Sequence, residues 1–174
     1  MKQFAQLITA LDQTNKTNEK IDALADYFNT AEERDKVWTI ALLSHRRPRR
    51  TVSSTYLREL AAEIAGLPLW LFEDSYHIVG DLAETIAHVL PPPTQSSEKT
   101  LSEWIEWIVS LQPLTEDQKK EGLQTAWDSL KSTERFIFNK LITGGFRMGV
   151  SQKLMVKALS KSTGIEENVL AHRL

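Results

Sequence analysis

The sequence contains no cysteine, which excludes disulfide bonds, thiolate metal sites and cysteine nucleophiles. Glycine and proline are sparse, at 7 and 6 residues. No apolar run reaches the roughly 18 residues of a membrane-spanning helix. The N-terminus also lacks the continuous apolar stretch of a signal peptide. These absences predict a protein of a reducing compartment without a membrane segment, by default a cytoplasmic one.

The overall composition is that of an ordinary globular protein. A length of 174 residues suits one domain or two small ones. Apolar residues make up 41% and charged residues 25%, which excludes a disordered chain. The 21 Lys and Arg and 23 Asp and Glu residues give a net charge of −2. Taken alone, this value argues against a nucleic-acid or anionic-membrane partner.

Helical spacing of apolar residues recurs along the chain and predicts an all-α fold of roughly ten helices. Helices are predicted to end at Gly66, at the prolines of residues 91–93, at Gly144-Gly145 and at Gly164. Ser151 is predicted to cap a helix, and a last helix begins near Glu166. Further N-terminal caps are predicted at Thr30-x-x-Glu33, Thr100-x-x-Glu103, Thr115-x-x-Gln118 and Ser132.

Several local predictions concern which residues are buried. The third helix is predicted to bury one face, formed by Val37, Ile40, Ala41 and Ser44. Leu69-Trp70-Leu71-Phe72 is predicted to be a short apolar turn, and the apolar stripe of the next helix starts at Val79. Helical spacing favours core packing over base stacking for the tryptophans, which are Trp38, Trp70, Trp104, Trp107 and Trp127.

Residues 91–100 form the one linker-like stretch. They either separate two helical subdomains or form a loop that is long for a compact bundle. The last residues, 171–174, stop within a helical pattern, which indicates either a truncation or a fraying terminus.

The charge is segregated along the sequence. Residues 46–58 carry +5, and residues 131–161 carry +6. The remainder of the chain therefore carries −13. Basic segments on an acidic body are the expected footprint of a phosphate-binding face, although each segment is also compatible with a solvated helix face.

Two short segments have the chemistry of a phosphate site. The loop 45–53 crowds Arg46, Arg47, Arg49 and Arg50 around a proline, and a guanidinium matches phosphate with two parallel hydrogen bonds. The segment 144–151 places Gly144, Gly145 and Gly149 beside Arg147, before a helix that starts at Ser151 and carries Lys153. A helix N-terminus after a glycine-rich turn is a ready anion site, and the glycines allow left-handed backbone and close approach to a bulky ligand. The alternative is an ordinary helix–helix turn.

Other kinds of site are less well supported. The four histidines are scattered, so no metal site is predicted. No nucleophile-elbow or nucleotide-binding motif occurs. Gly80 and Asp81 begin a helical stretch, where Asp81 suits the positive helix end and Gly80 allows close approach of a second DNA strand.

Two stretches resemble a known family. TGGFRMGVSQKLMVKALSKSTGI, from Thr143, resembles the glycine and arginine signature of the N-terminal DNA-binding domain of ATP-dependent DNA ligases. RRPRRTVSSTYLRELAAEIAGLPLWLFEDSYHIVGDLAETIAHVLPPP, from Arg46, resembles the earlier part of that domain in bacterial members. The resemblance implies an all-α domain that grips the minor groove on both sides of a nick. The DNA-binding set is then Arg46, Arg47, Arg49, Arg50, Gly80, Asp81, Gly144, Gly145, Arg147, Gly149, Ser151, Lys153 and Lys157.

The resemblance also implies what lies outside the chain. The family's nucleotidyl-transfer motif, Lys-x-Asp-Gly, does not occur here, and Lys119-Lys120-Glu121-Gly122 is a near miss on a helical stretch. The chain is therefore expected to be an inactive, monomeric fragment, joined in its parent to adenylation and OB-fold domains. ATP and Mg²⁺ would serve the parent enzyme in replication, repair or recombination, and DNA binding would place it at the nucleoid. The alternative function is a helical scaffold that binds an acidic protein partner.

Overall fold

The computed structural model describes residues 1–174, of which 70% are helical and none form a strand. Eleven helices follow one another: α1 Lys2–Asp12, α2 Thr17–Thr30, α3 Glu33–Leu43, α4 Ser54–Ala65, α5 Leu69–Val79, α6 Leu82–Val89, α7 Leu101–Ser110, α8 Glu116–Asp128, α9 Ser132–Thr143, α10 Gln152–Thr163 and α11 Glu167–Arg173. The predicted all-α fold is confirmed. None of these helices combines the length and apolar character needed to cross a bilayer.

Most of the predicted start and stop signals operate as expected. Gly66 and Gly164 end α4 and α10 with φ of 68° and 74°, the left-handed conformation that glycine adopts without strain. Thr115 and Gln118 form the predicted capping box of α8. Thr30 and Ser132, in contrast, are helical residues at the end of α2 and the start of α9, so their predicted capping roles are wrong.

The predicted buried face of α3 is wrong. Val37 is 66% exposed, and the buried residues of this helix are instead Asp35, Thr39, Leu42 and Leu43. Asp35 is buried because its Oδ1 accepts hydrogen bonds from the backbone N–H and the hydroxyl of Ser102. The inner face of α3 thus contains buried polar side chains whose hydrogen bonds are satisfied. The spacing of apolar residues in the sequence does not reveal such a face.

The predicted apolar turn at residues 69–72 is the first turn of α5, an eleven-residue helix that follows Pro68. Only Phe72 of this helix is buried, so α5 has no apolar stripe that would identify it from the sequence. Gly80 ends α5, and the predicted stripe from Val79 is divided because α6 begins at Leu82. Trp70, on α5, is 65% exposed and is therefore not a core residue, whereas Trp104 and Trp127 are buried as predicted.

The chain forms two compact units. Unit 1 comprises Met1–Arg47, Thr100–Ser102 and Gly145–Leu174. In it, α2 packs against both α1 and α10, and α11 packs against α10. Phe4, Leu24 and Phe146 are among its fully buried side chains.

Unit 2 comprises Pro48–Lys99 and Glu103–Gly144. Its helices α4, α5 and α6 contact one another, and α6 packs against α9. Trp127 and Phe138 lie in its core, where the Trp127 indole N–H donates to Asn139 Oδ1 at 2.8 Å. Residues 91–99 belong to this unit, where the backbone N–H of Gln95 donates to the Asp128 carbonyl at 3.1 Å.

Candidate functional site

An open cavity in unit 1 joins two segments that lie far apart in the sequence. The cavity has a volume of about 830 Å³ and is lined by His45, Arg47, Gly145, Arg147, Gly149, Val150 and Ser151. An adjoining cavity shares His45, Val150 and Ser151 and adds Arg46. The start of the arginine loop (residues 45–53) and the glycine turn (residues 144–151) therefore meet at one place. Three arginines surround the two cavities.

The turn between α9 and α10 is fixed at three points. The Phe146 ring is buried and packs edge-on against Phe4, with ring centroids 5.4 Å apart. The Met148 carbonyl accepts a hydrogen bond from Lys20 Nζ at 2.7 Å. Ser151 caps α10 as predicted, because its hydroxyl accepts from the Leu154 N–H at 3.1 Å.

Left-handed backbone occurs in this turn at Gly149 alone. Gly149 has φ of 64°, whereas Gly144 is extended with φ of −156°, and Gly145 is not among the positive-φ residues. Of the three glycines that allow left-handed backbone, only Gly149 therefore adopts it. The buried Phe146 and the anchored Met148 carbonyl hold the residues on either side of Arg147.

The basic side chains of this segment remain on the surface. Arg147 is exposed, although both of its neighbours are held. Lys153, in the first turn of α10, is exposed, and Lys157, one turn later, is half-buried. None of the three forms an ion pair within the chain, so their charges are available to an anionic ligand.

The arginine loop is divided between the units. His45 is in the left-handed region with φ of 63°, and the Arg46 N–H donates to the Ala41 carbonyl at 2.8 Å. Arg46 and Arg47 belong to unit 1, whereas Arg49 and Arg50 belong to unit 2. There Arg50 donates to the Thr143 carbonyl at 3.2 Å. All four arginines are exposed, and the proline between them is buried.

The turn at Gly80 and Asp81 connects α5 to α6 in unit 2. Gly80 has φ of 80°, and a Cβ at this position would meet no heavy atom within 4 Å, so the backbone faces open space. Asp81 caps α6, since its Oδ1 accepts from the Glu84 N–H at 2.9 Å. Its other carboxylate oxygen pairs with Lys140 of α9. Asp81 thus lies at the positive end of α6, the position that the alternative to DNA contact gives it.

A family model described as DNA ligase N terminus matches residues 1–160. The chain belongs to this family, the N-terminal domain of ATP-dependent DNA ligases. It therefore has its role within a DNA ligase. A search of curated proteins gives no match.

Only part of the basic segment 131–161 is available to a ligand of this ligase domain. Arg135 is 3% exposed and donates to the carbonyls of Trp127 and Pro91, and burial lowers its pKa. Lys140 pairs with Asp81, and Lys161 pairs with Asp22. Three of the seven cations of the segment thus stabilise the fold, so the charge count of the sequence overstates the free positive charge.

The near miss to the nucleotidyl motif is part of α8 in the ligase domain. Lys119 donates to the Thr51 carbonyl at 2.9 Å. Lys120 pairs with Glu63 at 2.7 Å, and this hydrogen bond raises the pKa of the Lys120 ammonium. Both lysines bind neighbouring helices or loops of unit 2, as helix-surface residues do.

Two residues near the cavity were absent from the predicted set. His45 lines both cavities in a strained conformation. Lys20 lies beneath the glycine turn and is 8% exposed. A signal for Lys20 exists in the sequence, since it precedes the buried Leu24 and Phe28 by four and eight residues, which places a lysine on the apolar stripe of α2.

Proposed function

We propose that this domain binds nicked duplex DNA without sequence preference, through backbone phosphates along the minor groove, and so positions the nick for its parent ligase. One observation carries the proposal. Arg47, from the loop after α3, and Arg147, from the turn before α10, line the same cavity in unit 1. Their guanidinium groups are exposed, and neither forms an ion pair within the chain.

The composition of the cavity suits a phosphate diester. Two arginines supply forked donors, and the capped start of α10 presents the positive end of a helix dipole. Gly145 lacks a side chain, and no heavy atom lies within 4 Å of its Cβ position, so a ligand as bulky as a sugar–phosphate backbone is able to approach the main chain there. Phosphate contacts fix position without reading bases, which is what an enzyme acting at any nick requires.

Unit 2 supplies further candidates for the same ligand. Arg49 is exposed and unpaired, and the Gly80 backbone faces open space. We assign them to additional backbone contacts. Asp81 is assigned to holding Lys140 and the start of α6 rather than to contact with phosphate, because like charges repel.

The salt dependence of binding tests the proposal. The dissociation constant for a nicked duplex should rise steeply between about 50 and 200 mM salt. Each phosphate neutralised steepens the plot of its logarithm against the logarithm of the salt concentration by about 0.9. Arg47→Gln and Arg147→Gln should each make the slope shallower by about 0.9 and weaken binding equally for unrelated sequences.

Arg58→Gln is the matched control. Arg58 lies in the same basic segment as Arg47, but Glu73 binds its guanidinium at 3.1 Å. This variant should keep the slope of the unmodified domain. A salt-insensitive affinity, or an equal change of slope in all three variants, would contradict the proposed site.

The same titration separates DNA from the alternative partner. A scaffold for an acidic protein should show no saturable binding to nicked duplex at moderate salt. Comparison with an intact duplex of the same sequence measures any preference for the nick.

The chemistry of the parent enzyme is part of the proposal. Adenylation and OB-fold domains of the same parent chain would bind ATP and Mg²⁺ and seal the strand, while this domain supplies affinity. Incubation of the domain with labelled ATP should therefore leave it unlabelled. Adenylation of the domain would contradict its assignment as a binding module.

A further inference from the structure

We propose that Lys20 is a positioning residue that holds the glycine turn so that Arg147 meets the DNA backbone. This inference rests on the proposed function, because it concerns the same site. Lys20 lies on α2, and the turn it binds lies 128 positions later in the sequence. It does not line the cavity and acts from beneath it.

The first observation is the environment of the lysine. Lys20 is 8% exposed, and its ammonium is bound by the Met148 carbonyl rather than by a carboxylate. A buried cation without a counter-charge is unfavourable, and its field adds positive potential to its surroundings. An anionic ligand bound at the adjoining turn would provide the missing compensation.

The second observation is how closely the turn fits the tip of the lysine. Lys20 Nζ lies 2.7 Å from the Met148 carbonyl oxygen. It also lies 2.7 Å from the position that a Cβ on Gly149 would occupy. The backbone is able to approach the Lys20 ammonium this closely because Gly149 has no side chain. Glycine also adopts the left-handed φ of 64° at this position without strain.

The third observation is the position of Arg147 between two anchors. Phe146 precedes it and is buried against Phe4, and Met148 follows it and is held by Lys20. Arg147 itself is exposed. With both neighbours fixed, the start of the arginine side chain is fixed as well, so less conformational entropy is lost when the guanidinium binds phosphate.

Lys161 supplies a matched control on the same pair of helices. It belongs to the far end of α10 and pairs with Asp22 of α2 at 2.5 Å, so it links α10 to α2 without contacting the turn. Lys161→Met removes one lysine charge and one α2–α10 contact, whereas Lys20→Met removes one lysine charge and the contact of α2 with the turn. The two variants differ in whether the glycine turn loses its anchor.

The experiment combines hydrogen exchange with DNA titration. We compare Lys20→Met, Lys20→Arg, Lys161→Met, Arg147→Gln and the double variant Lys20→Met/Arg147→Gln. Exchange in the turn is followed without DNA at the Leu154 and Met155 amides, because their N–H groups bind the Ser151 hydroxyl and carbonyl where the turn meets α10. The dissociation constant for nicked duplex and its salt slope report on the site.

Lys20→Met should speed exchange in the turn by roughly tenfold, since it removes a hydrogen bond to a charged donor. It should weaken binding roughly tenfold and make the salt slope shallower by up to about 0.9, the loss of one phosphate contact. Added to Arg147→Gln, it should change binding by less than roughly threefold, because both variants remove the same contact. The exchange rate and dissociation constant of Lys20→Arg should be closer to those of the unmodified domain than the values of Lys20→Met are. Lys161→Met should leave exchange in the turn and the salt slope unchanged.

Unchanged exchange in Lys20→Met would overturn the proposal, as would effects of Lys20→Met and Arg147→Gln that simply add. A general loss of stability lowers the melting temperature in both lysine variants, but it does not alter the salt slope. If the unmodified domain fails to bind nicked duplex while Lys20→Met still loosens the turn, the proposed function fails and the anchoring role of Lys20 is supported.

Discussion

At the scale of single residues, Gly149 is the most constrained position in the candidate site. Replacement by alanine introduces a left-handed non-glycine residue, which costs about 1–2 kcal/mol. The new Cβ also displaces the flexible tip of Lys20 and breaks its hydrogen bond to Met148. We expect Gly149→Ala to lower the free energy of unfolding by about 2–3 kcal/mol, measured by denaturant titration.

Gly164→Ala and Gly145→Ala separate the two contributions at Gly149. Gly164 is left-handed with no neighbour within 4 Å of its Cβ position, so alanine there should cost only about 1 kcal/mol. Gly145 has neither constraint, and alanine should change stability by less than about 0.5 kcal/mol. Equal losses at positions 149 and 164 would mean that the Lys20 contact has no energetic weight.

At the scale of elements, the α5–α6 turn depends on Asp81 in two ways that substitutions distinguish. Asp81→Asn keeps an oxygen to cap α6 but loses the ion pair with Lys140, a part-exposed pair worth about 1 kcal/mol or less. Asp81→Ala loses both interactions, and the missing cap adds about 1 kcal/mol. Thermal unfolding should therefore rank stability as unmodified domain, Asp81→Asn, then Asp81→Ala. Identical melting temperatures for the two variants would show that the cap does not contribute.

The same scale shows which elements are predictable from sequence. Helices with a clear apolar stripe, such as α1 and α4, follow from local pattern alone, and α4 also ends at a glycine. The inner face of α3 does not, because Asp35 is buried only when Ser102, 67 positions away, supplies two donors. Helix α5 is not predicted by the spacing of apolar residues, because Phe72 is its single buried residue.

The sequence predicts the separate segments of the candidate site but not how the fold brings them together. The arginines and the glycine turn are visible in the sequence because their chemistry is local. Which cations are free is not visible, since Arg135, Lys140 and Lys161 find their partners through tertiary contacts. The sequence marks Lys20 only by its place on the apolar stripe of α2, whereas its partner, the Met148 carbonyl, is supplied by the tertiary fold.

At the scale of the whole molecule, alkaline pH should destabilise the fold. Burial raises the pKa of Tyr27 to about 12 from an ordinary value of 10.0, so its phenol stays neutral when the unfolded chain has already ionised. The neutral Tyr27 phenol therefore makes its full contribution to the free energy of unfolding below about pH 10. This contribution falls by roughly 1 kcal/mol per pH unit as the pH rises to about 12. Burial of Tyr56 and the ion pairs of Lys120 and Lys161 also raise pKa values and act in the same direction.

Tyr27→Phe isolates the contribution of this phenol. The ring keeps its packing against Phe4 and Phe28 but loses the Thr39 hydroxyl, which lies 2.8 Å from the Tyr27 oxygen. The variant should be less stable at neutral pH and should lose less stability between pH 10 and 12, as measured by urea unfolding. Parallel pH profiles for the two proteins would contradict the assignment to Tyr27.

The construction of unit 1 from both ends of the sequence has a consequence for the newly made chain. Helices α1 to α3 are synthesised before residues 48–144, whose synthesis takes roughly 5–20 s at ordinary rates of translation. Until α10 follows, Lys20 has no carbonyl to bind and Phe4 has no Phe146 to cover it. Unit 2 is complete at Gly144, so it is able to fold first, whereas the proposed DNA site is the last part of the domain to form. In the newly made chain, the proposed DNA site is therefore complete only after nearly the entire domain has been translated.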